Sequence, residues 1–261
     1  MITTATMTAT RASKNPTVLA RMEHTFFINP IRIHENVIMT SWVDYAGRSS
    51  LDVTVVVESE NPVNGTRRLT TVSYMTLVTV DGNLRPIPHG VCIEAHSPIE
   101  VELHKRAEER RRRRLTELGT KKNLIRDLSP PKPLDKRYYI TSYRFVYPED
   151  TVFHTAMFAG RLLYYLDELA GILGLRYSRG PVVTAAVDAT DFHAPLWVGE
   201  SIEMHAALTY VGRSSMEVTL KVIARNEITG EARHTTTSYF TIVALDYNGR
   251  PRPVPQFKPA E

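Results

Sequence analysis

The sequence has almost no cysteine: Cys92 stands alone among 261 residues. That excludes an intramolecular disulfide framework and suits a reducing, cytoplasmic compartment. It also has no apolar run near the roughly 18 residues that a membrane-spanning helix needs. The start, Met1-Ile2-Thr3-Thr4-Ala5-Thr6-Met7, lacks the charged then greasy order of a secretory signal. The nine histidines are scattered without metal-ligand spacing, so neither a metal site nor a cofactor is expected. What remains is ordinary for a globular protein, 43% apolar and 23% charged, with room for one large domain or two small ones. The net charge of +4 owes much to one run, Arg110 to Arg114. Elsewhere acids and bases nearly balance.

An internal repeat decides the architecture. Residues 22–88 align without a gap with residues 187–253, at a constant offset of 165. Roughly 27 of the 67 positions are identical. The anchor is Tyr45-Ala46-Gly47-Arg48-Ser49-Ser50-Leu51-Asp52-Val53 against Tyr210-Val211-Gly212-Arg213-Ser214-Ser215-Met216-Glu217-Val218. Each copy reads as antiparallel β-structure. In the first, Val37–Tyr45, Leu51–Ser59 and Arg68–Val80 are rich in β-branched and aromatic residues, with Gly47 and Asn61-Pro62-Val63-Asn64-Gly65 marking turns. The second copy repeats this at Ser201–Tyr210, Met216–Asn226 and Arg233–Leu245. The domains expected are residues 1–95 and 139–256. Residues 96–138 join them through a helix with acids before bases and the breaker Ser129-Pro130-Pro131-Lys132-Pro133. The arginine run is either a solvated helix face or a contact for phosphate groups. Nucleic acid is not expected, since no recognition-helix pattern or aromatic-interleaved basic strand accompanies it.

Ahead of the second set of strands, His154 to Leu175 reads as one long apolar helix, opening on Ala159-Gly160 and carrying Asp167. The wheel puts Asp167 beside Leu163, Ala170, Gly171 and Gly174, a costly place for a charge without a partner. At the same offset Met1 falls opposite Leu166 and Ile2 opposite Asp167. The first copy is therefore expected to begin halfway down its own helix, either as a shortened descendant or because the true start lies upstream.

A helix packed in a curved antiparallel sheet, duplicated in tandem, resembles the double hotdog acyl-CoA thioesterases, an α+β class. Met157-Phe158-Ala159-Gly160-Arg161-Leu162-Leu163, Leu166-Asp167-Glu168-Leu169-Ala170, Val183-Thr184-Ala185-Ala186-Val187-Asp188, Phe192-His193-Ala194-Pro195 and the Tyr210–Val218 segment carry the resemblance, which spans about 110 residues of the second copy and about 80 of the first. It implies hydrolysis of fatty acyl-CoA to free acid and coenzyme A. Asp167 matches the family's general base or nucleophile, and Gly160, beside Ala159, the backbone N–H donor to the thioester oxygen. The Gly212-Arg213-Ser214-Ser215 turn matches the segment along the coenzyme's pantetheine and phosphates. The resemblance also implies a homo-oligomer, with a trimer of two-unit chains favoured.

Two departures stand out. The family's asparagine is replaced by Val152, with His154 a conceivable polar substitute, and Ile2 stands where the first copy's acid would be. The rival reading is therefore a non-catalytic acyl-CoA-binding or assembly subunit. A hotdog dehydratase is disfavoured, because no Asp-plus-His motif lies on the central helix.

Overall fold

A computed structural model describes residues 1–120, 127–152 and 155–257. Two compact units divide the chain, Met1–Arg126 and Asp127–Glu261. Unit 1 opens with helix α1 (Ile2–Ser13) and long strands β1 (Thr17–Met22), β2 (Asn36–Ala46), β3 (Ser50–Glu60) and β4 (Arg67–Thr79), then adds helix α2 (Pro98–Thr120). Its strands pair antiparallel in the order β1-β4-β3-β2. Unit 2 contains β5 (Tyr139–Phe145), α3 (Ala159–Ser178), β6 (Val182–Val187), β7 (Ser201–Val211), β8 (Ser215–Arg225) and β9 (Ala232–Ala244). Here the antiparallel order is β6-β9-β8-β7-β5.

The repeat read from the sequence holds down to the register. Asp52 pairs with Thr76 and Glu217 with Thr241; Thr54 pairs with Tyr74 and Thr219 with Tyr239. Every ladder shift recurs at the same offset: Leu19/Arg21 with Thr184/Ala186, Val43/Tyr45 with Leu208/Tyr210, and Val57/Glu58 with Val222/Ile223. Such bulges bend and twist a sheet, and here they give each unit the curvature that receives a helix. Gly65 and Gly230 occupy matching turns with φ of 69° and 75°, a conformation that glycine adopts without a Cβ clash. This is the tandem hotdog arrangement.

In unit 2 the helix buries Leu162, Tyr165, Leu166, Leu169, Ala170, Leu173 and Gly174. The sheet's inward residues, including Met204, Leu208, Met216, Leu220 and Ile242, are sealed with them. Gly174 permits the approach: a Cβ there would stand 2.6 Å from Ile242 Cγ2. Unit 1 repeats the small ridge with fully buried Ala5 and Ala9. Both helices end in the left-handed conformation, at Lys14 and Arg179. Helix α1 thus corresponds to the last twelve residues of α3, as the offset implied. The start of α3 differs from the expected one. Thr151–Val152 pairs with Ala156–Met157 and Phe158 stays extended, so the helix begins at Ala159 and runs on to Ser178. His154 lies outside the described residues.

Helix α2 starts in a capping box, where Glu100 N–H donates to Ser97 Oγ and Ser97 N–H to Glu100 Oε2. It rests on the other face of the unit 1 sheet, and its arginine run divides between that sheet and solvent. Arg110 pairs with buried Asp44 at 3.1 Å and stacks on the Tyr74 ring. Arg114 pairs with buried Asp52 at 3.0 Å and donates to Thr76. Arg111 reaches Ser50 Oγ and the Tyr45 ring. Arg112 and Arg113 alone point to solvent.

Removing one member of a buried ion pair strands the other. Arg114→Met is expected to lower the stability of unit 1 by about 3 kcal/mol in urea unfolding, and Asp52→Leu in the same chain to recover most of it. A second expectation concerns His234 on β9, whose buried Nδ1 has no partner among the described residues. Burial, with His193 and Lys221 adding to it, pushes this imidazole down to about 4. The unfolded chain then binds a proton that the folded chain refuses, so stability is complete above about pH 6.5 and falls toward pH 4. Urea midpoints at pH 7 and 4.5 should differ less for His234→Gln than for the parent, and an unchanged difference would remove His234 from the account.

Candidate active site

Three elements of unit 2 hold the residues singled out in the sequence. The first is the start of α3. Phe158 N–H donates to the Asp150 carbonyl at 2.8 Å, and the Phe158 carbonyl takes both Arg161 N–H and Leu162 N–H. The N–H groups of Ala159 and Gly160 therefore have no acceptor among the described residues. Donors left open at a helix start, reinforced by the helix dipole, suit an oxygen on which negative charge develops. Packing also explains the glycine: a Cβ on Gly160 would lie 2.6 Å from Cε1 of the Phe158 ring.

The second element is the margin of the same helix. Asp167 is exposed, not buried among small residues as the wheel suggested, because Ala170 and Gly174 turn into the sheet. It sits between that buried face and an outward apolar stripe of Tyr164, Ile172 and Leu175. Thr184 Oγ1 donates to Asp167 Oδ1. The register shifts between Thr184 and Ala186, and this bulge aims the Thr184 hydroxyl at the carboxylate. Its other oxygen, Oδ2, accepts no hydrogen bond among the described residues. A fixed carboxylate with one free oxygen can hold and deprotonate a water.

The third element is the turn Gly212-Arg213-Ser214-Ser215, closed by Gly212 N–H donating to the Ser215 carbonyl at 2.8 Å. Its carbonyls are tied down by Val254, Ala244 and Gln256, leaving Arg213 exposed. Ser215 pairs with Val243, which pairs with Val183, the neighbour of Thr184. The turn and the Asp167–Thr184 pair thus share one end of the sheet, about 10 Å apart across two strand spacings.

Gly160 and Asp167 are not brought together. Seven residues apart, they share a helix face, but a rise of about 1.5 Å per residue separates them by about 10 Å. One carbonyl cannot touch both.

Sequence reasoning missed a buried cluster behind the helix start. Asp150, 4% exposed, accepts a hydrogen bond from Tyr165 Oη at 2.9 Å and pairs with Arg161 at 3.3 Å. Arg144 lies 4.0 Å over the Tyr165 ring and donates to its hydroxyl. Burial first, and the bond to Asp150 second, hold the Tyr165 phenol above its ordinary range. A carboxylate behind the first turn suits the helix dipole and fixes the angle at which Gly160 N–H is presented. Nothing in the spacing of Asp150 and Tyr165 announced this contact. Among the described residues no group of acidic, histidine or cysteine side chains could hold a metal ion.

Comparison with known proteins places the chain in a family. The profile of the thioesterase superfamily matches residues 1–66 and 154–231. The cytosolic acyl coenzyme A thioester hydrolase of Mus musculus is 30% identical over 249 residues, covering 92% of this chain and 65% of its own length. An uncharacterized acyl-CoA thioester hydrolase of Bacillus subtilis, YkhA, is 44% identical over 114 residues, 44% of this chain and 66% of its own. Protein VdlD of Helicobacter pylori is 38% identical over 125 residues, 48% of this chain and 71% of its own. The chain thus spans about two thirds of the length of the first two relatives.

Asp150→Ala should cost about 2 kcal/mol, since it leaves the Tyr165 hydroxyl and Arg161 without their acceptor. Asp150→Asn, which keeps an acceptor for Tyr165, should cost about half as much. Thermal melts of the two variants check the order.

Proposed function

The chain belongs to the thioesterase superfamily, and from that premise we propose that it hydrolyses fatty acyl-CoA thioesters to free fatty acid and coenzyme A. Asp167 is the acid/base group: held through Oδ1 by Thr184, it takes a proton from water, or attacks the carbonyl itself, through Oδ2. The Gly160 N–H is the oxyanion donor, with Ala159 beside it. The turn Gly212–Ser215 and exposed Arg213 receive the pantetheine and phosphate part of the coenzyme, a role that the guanidinium's fit to phosphate supports. His154, outside the described residues, is the candidate polar group near the carbonyl.

The observation that carries this reading is the pairing of an exposed, hydroxyl-held carboxylate with unaccepted N–H donors at a helix start, in a chain of this family. The separation of about 10 Å adds a requirement: the donor and the base that act on one thioester come from different helices. A homo-oligomer meets it, and the outward stripe of Tyr164, Ile172 and Leu175 supplies apolar surface for association. A cytoplasmic location is supported by the single exposed Cys92 and by relatives named cytosolic.

One observation favours the second reading, a non-catalytic acyl-CoA-binding or assembly subunit. Helix α1 carries buried Ile2 at the position of Asp167, so unit 1 supplies no equivalent base. Thiol release from acyl-CoA by the purified chain separates the two. Turnover in the parent that drops by about 100-fold or more in Asp167→Asn, with KM little changed, is the expected result. Gly160→Pro, which deletes the N–H, should lower kcat by a similar factor. Full turnover in Asp167→Asn would end the mechanism, and absent turnover with coenzyme A still raising the melting temperature would establish the binder.

A further inference from the structure

The outward sheet positions of the two units match by the repeat, and among the described residues α2 lies against those of unit 1. In unit 1, α2 sets Arg110 over Tyr74 and against Asp44, and Arg114 against Asp52, with Arg111 over Tyr45. In unit 2 the corresponding positions are Tyr239, Thr209, Glu217 and Tyr210, in identical register and next to the same bulge. Here Tyr210 is 62% exposed and Tyr239 40% exposed. Glu217 accepts from Thr209 Oγ1 at 2.8 Å, and no lysine or arginine pairs with it among the described residues. A carboxylate between two open tyrosine rings is the complement of a guanidinium.

We propose that this surface of unit 2 docks a partner protein's helix bearing arginines one turn apart. One arginine pairs with Glu217 and the arginine four residues before it stacks on Tyr239, with Tyr210 flanking them. The spacing is that of Arg110 and Arg114, which fall on one side of α2. Thr209 stands where unit 1 has Asp44, so the unit 2 surface offers one carboxylate and binds more weakly than the intramolecular pair. Two aromatic faces and one ion pair define the partner's chemistry: a basic amphipathic helix, read by arginine rather than lysine.

The test is fluorescence anisotropy with a labelled peptide of residues 98–120, titrated with the full chain at low ionic strength. Saturable binding is expected, weakened about tenfold or more by Glu217→Lys and several-fold by Tyr239→Ala, and retained by Glu217→Asp. A peptide with alanine at positions 110, 111 and 114 should bind at least about tenfold less tightly. No saturable binding overturns the proposal, and so does binding that Glu217→Lys leaves unchanged. Binding lost in Asp52→Asn but kept in Glu217→Lys would mean that the peptide displaces α2 from unit 1, and overturns it as well. Circular dichroism melts confirm that each variant is folded.

Discussion

The distance at which an apolar helix can lie in the curve of an antiparallel sheet governs both units. Apolar surface is sealed only if the backbone of the helix approaches closely, and a single methyl in the wrong place holds it off. The ridge Ala170–Gly174 in α3, and Ala5–Ala9 in α1, keeps that approach open; beside Gly174 the Ile242 side chain fills the space that a Cβ would need. Once the small ridge is committed to the sheet, the rest of the helix is assigned. Leu162, Leu166, Leu169 and Leu173 go inward, Tyr164, Ile172 and Leu175 go outward, and Asp167 is left at the seam, where a strand hydroxyl can reach it.

Charge in this protein is used differently on the two faces of the same sheet. The inner face is mostly apolar, with buried hydroxyls such as Ser73 and Ser238 among the aliphatic side chains. The outer face of unit 1 buries Asp44 and Asp52, and these are tolerated because α2 brings a guanidinium to each. A run of five basic residues would ordinarily line a solvated helix. Here its members divide by helical angle, three toward the sheet and two toward water. The side chains that hold α2 are thus the ones that composition would place outside.

The fold was legible because the chain states it twice: a gapless offset with matching turns leaves little freedom in strand boundaries or pairing, and the ladders fall within a residue or so of the expected spans. The thioesterase resemblance was legible for the same reason, through motifs in fixed order. Local geometry was less so. The helix start slipped because Ala156 and Met157, apolar and helix-compatible, are claimed by a short ladder with Thr151 and Val152. Thr184 could be quoted as part of a pattern, but its aim depends on a bulge, which is a relation between strands. The Asp150–Tyr165–Arg144 cluster joins residues whose spacing carries no periodic signal. The separation of Gly160 from Asp167, by contrast, needs only the rise of a helix, and the family pattern had obscured it.

The three ladder irregularities recur at the same offset in both copies, although about 40 of the 67 aligned positions have changed identity. Side chains have been replaced freely while the extra residues have stayed. Pleating makes the reason plain, since deleting one such residue moves everything beyond it to the opposite face and turns the core outward. The curvature therefore predates the doubling, and what was copied was a finished single unit. Away from the small ridge its heirs have exchanged many side chains, but a change of length inside a strand turns the core outward.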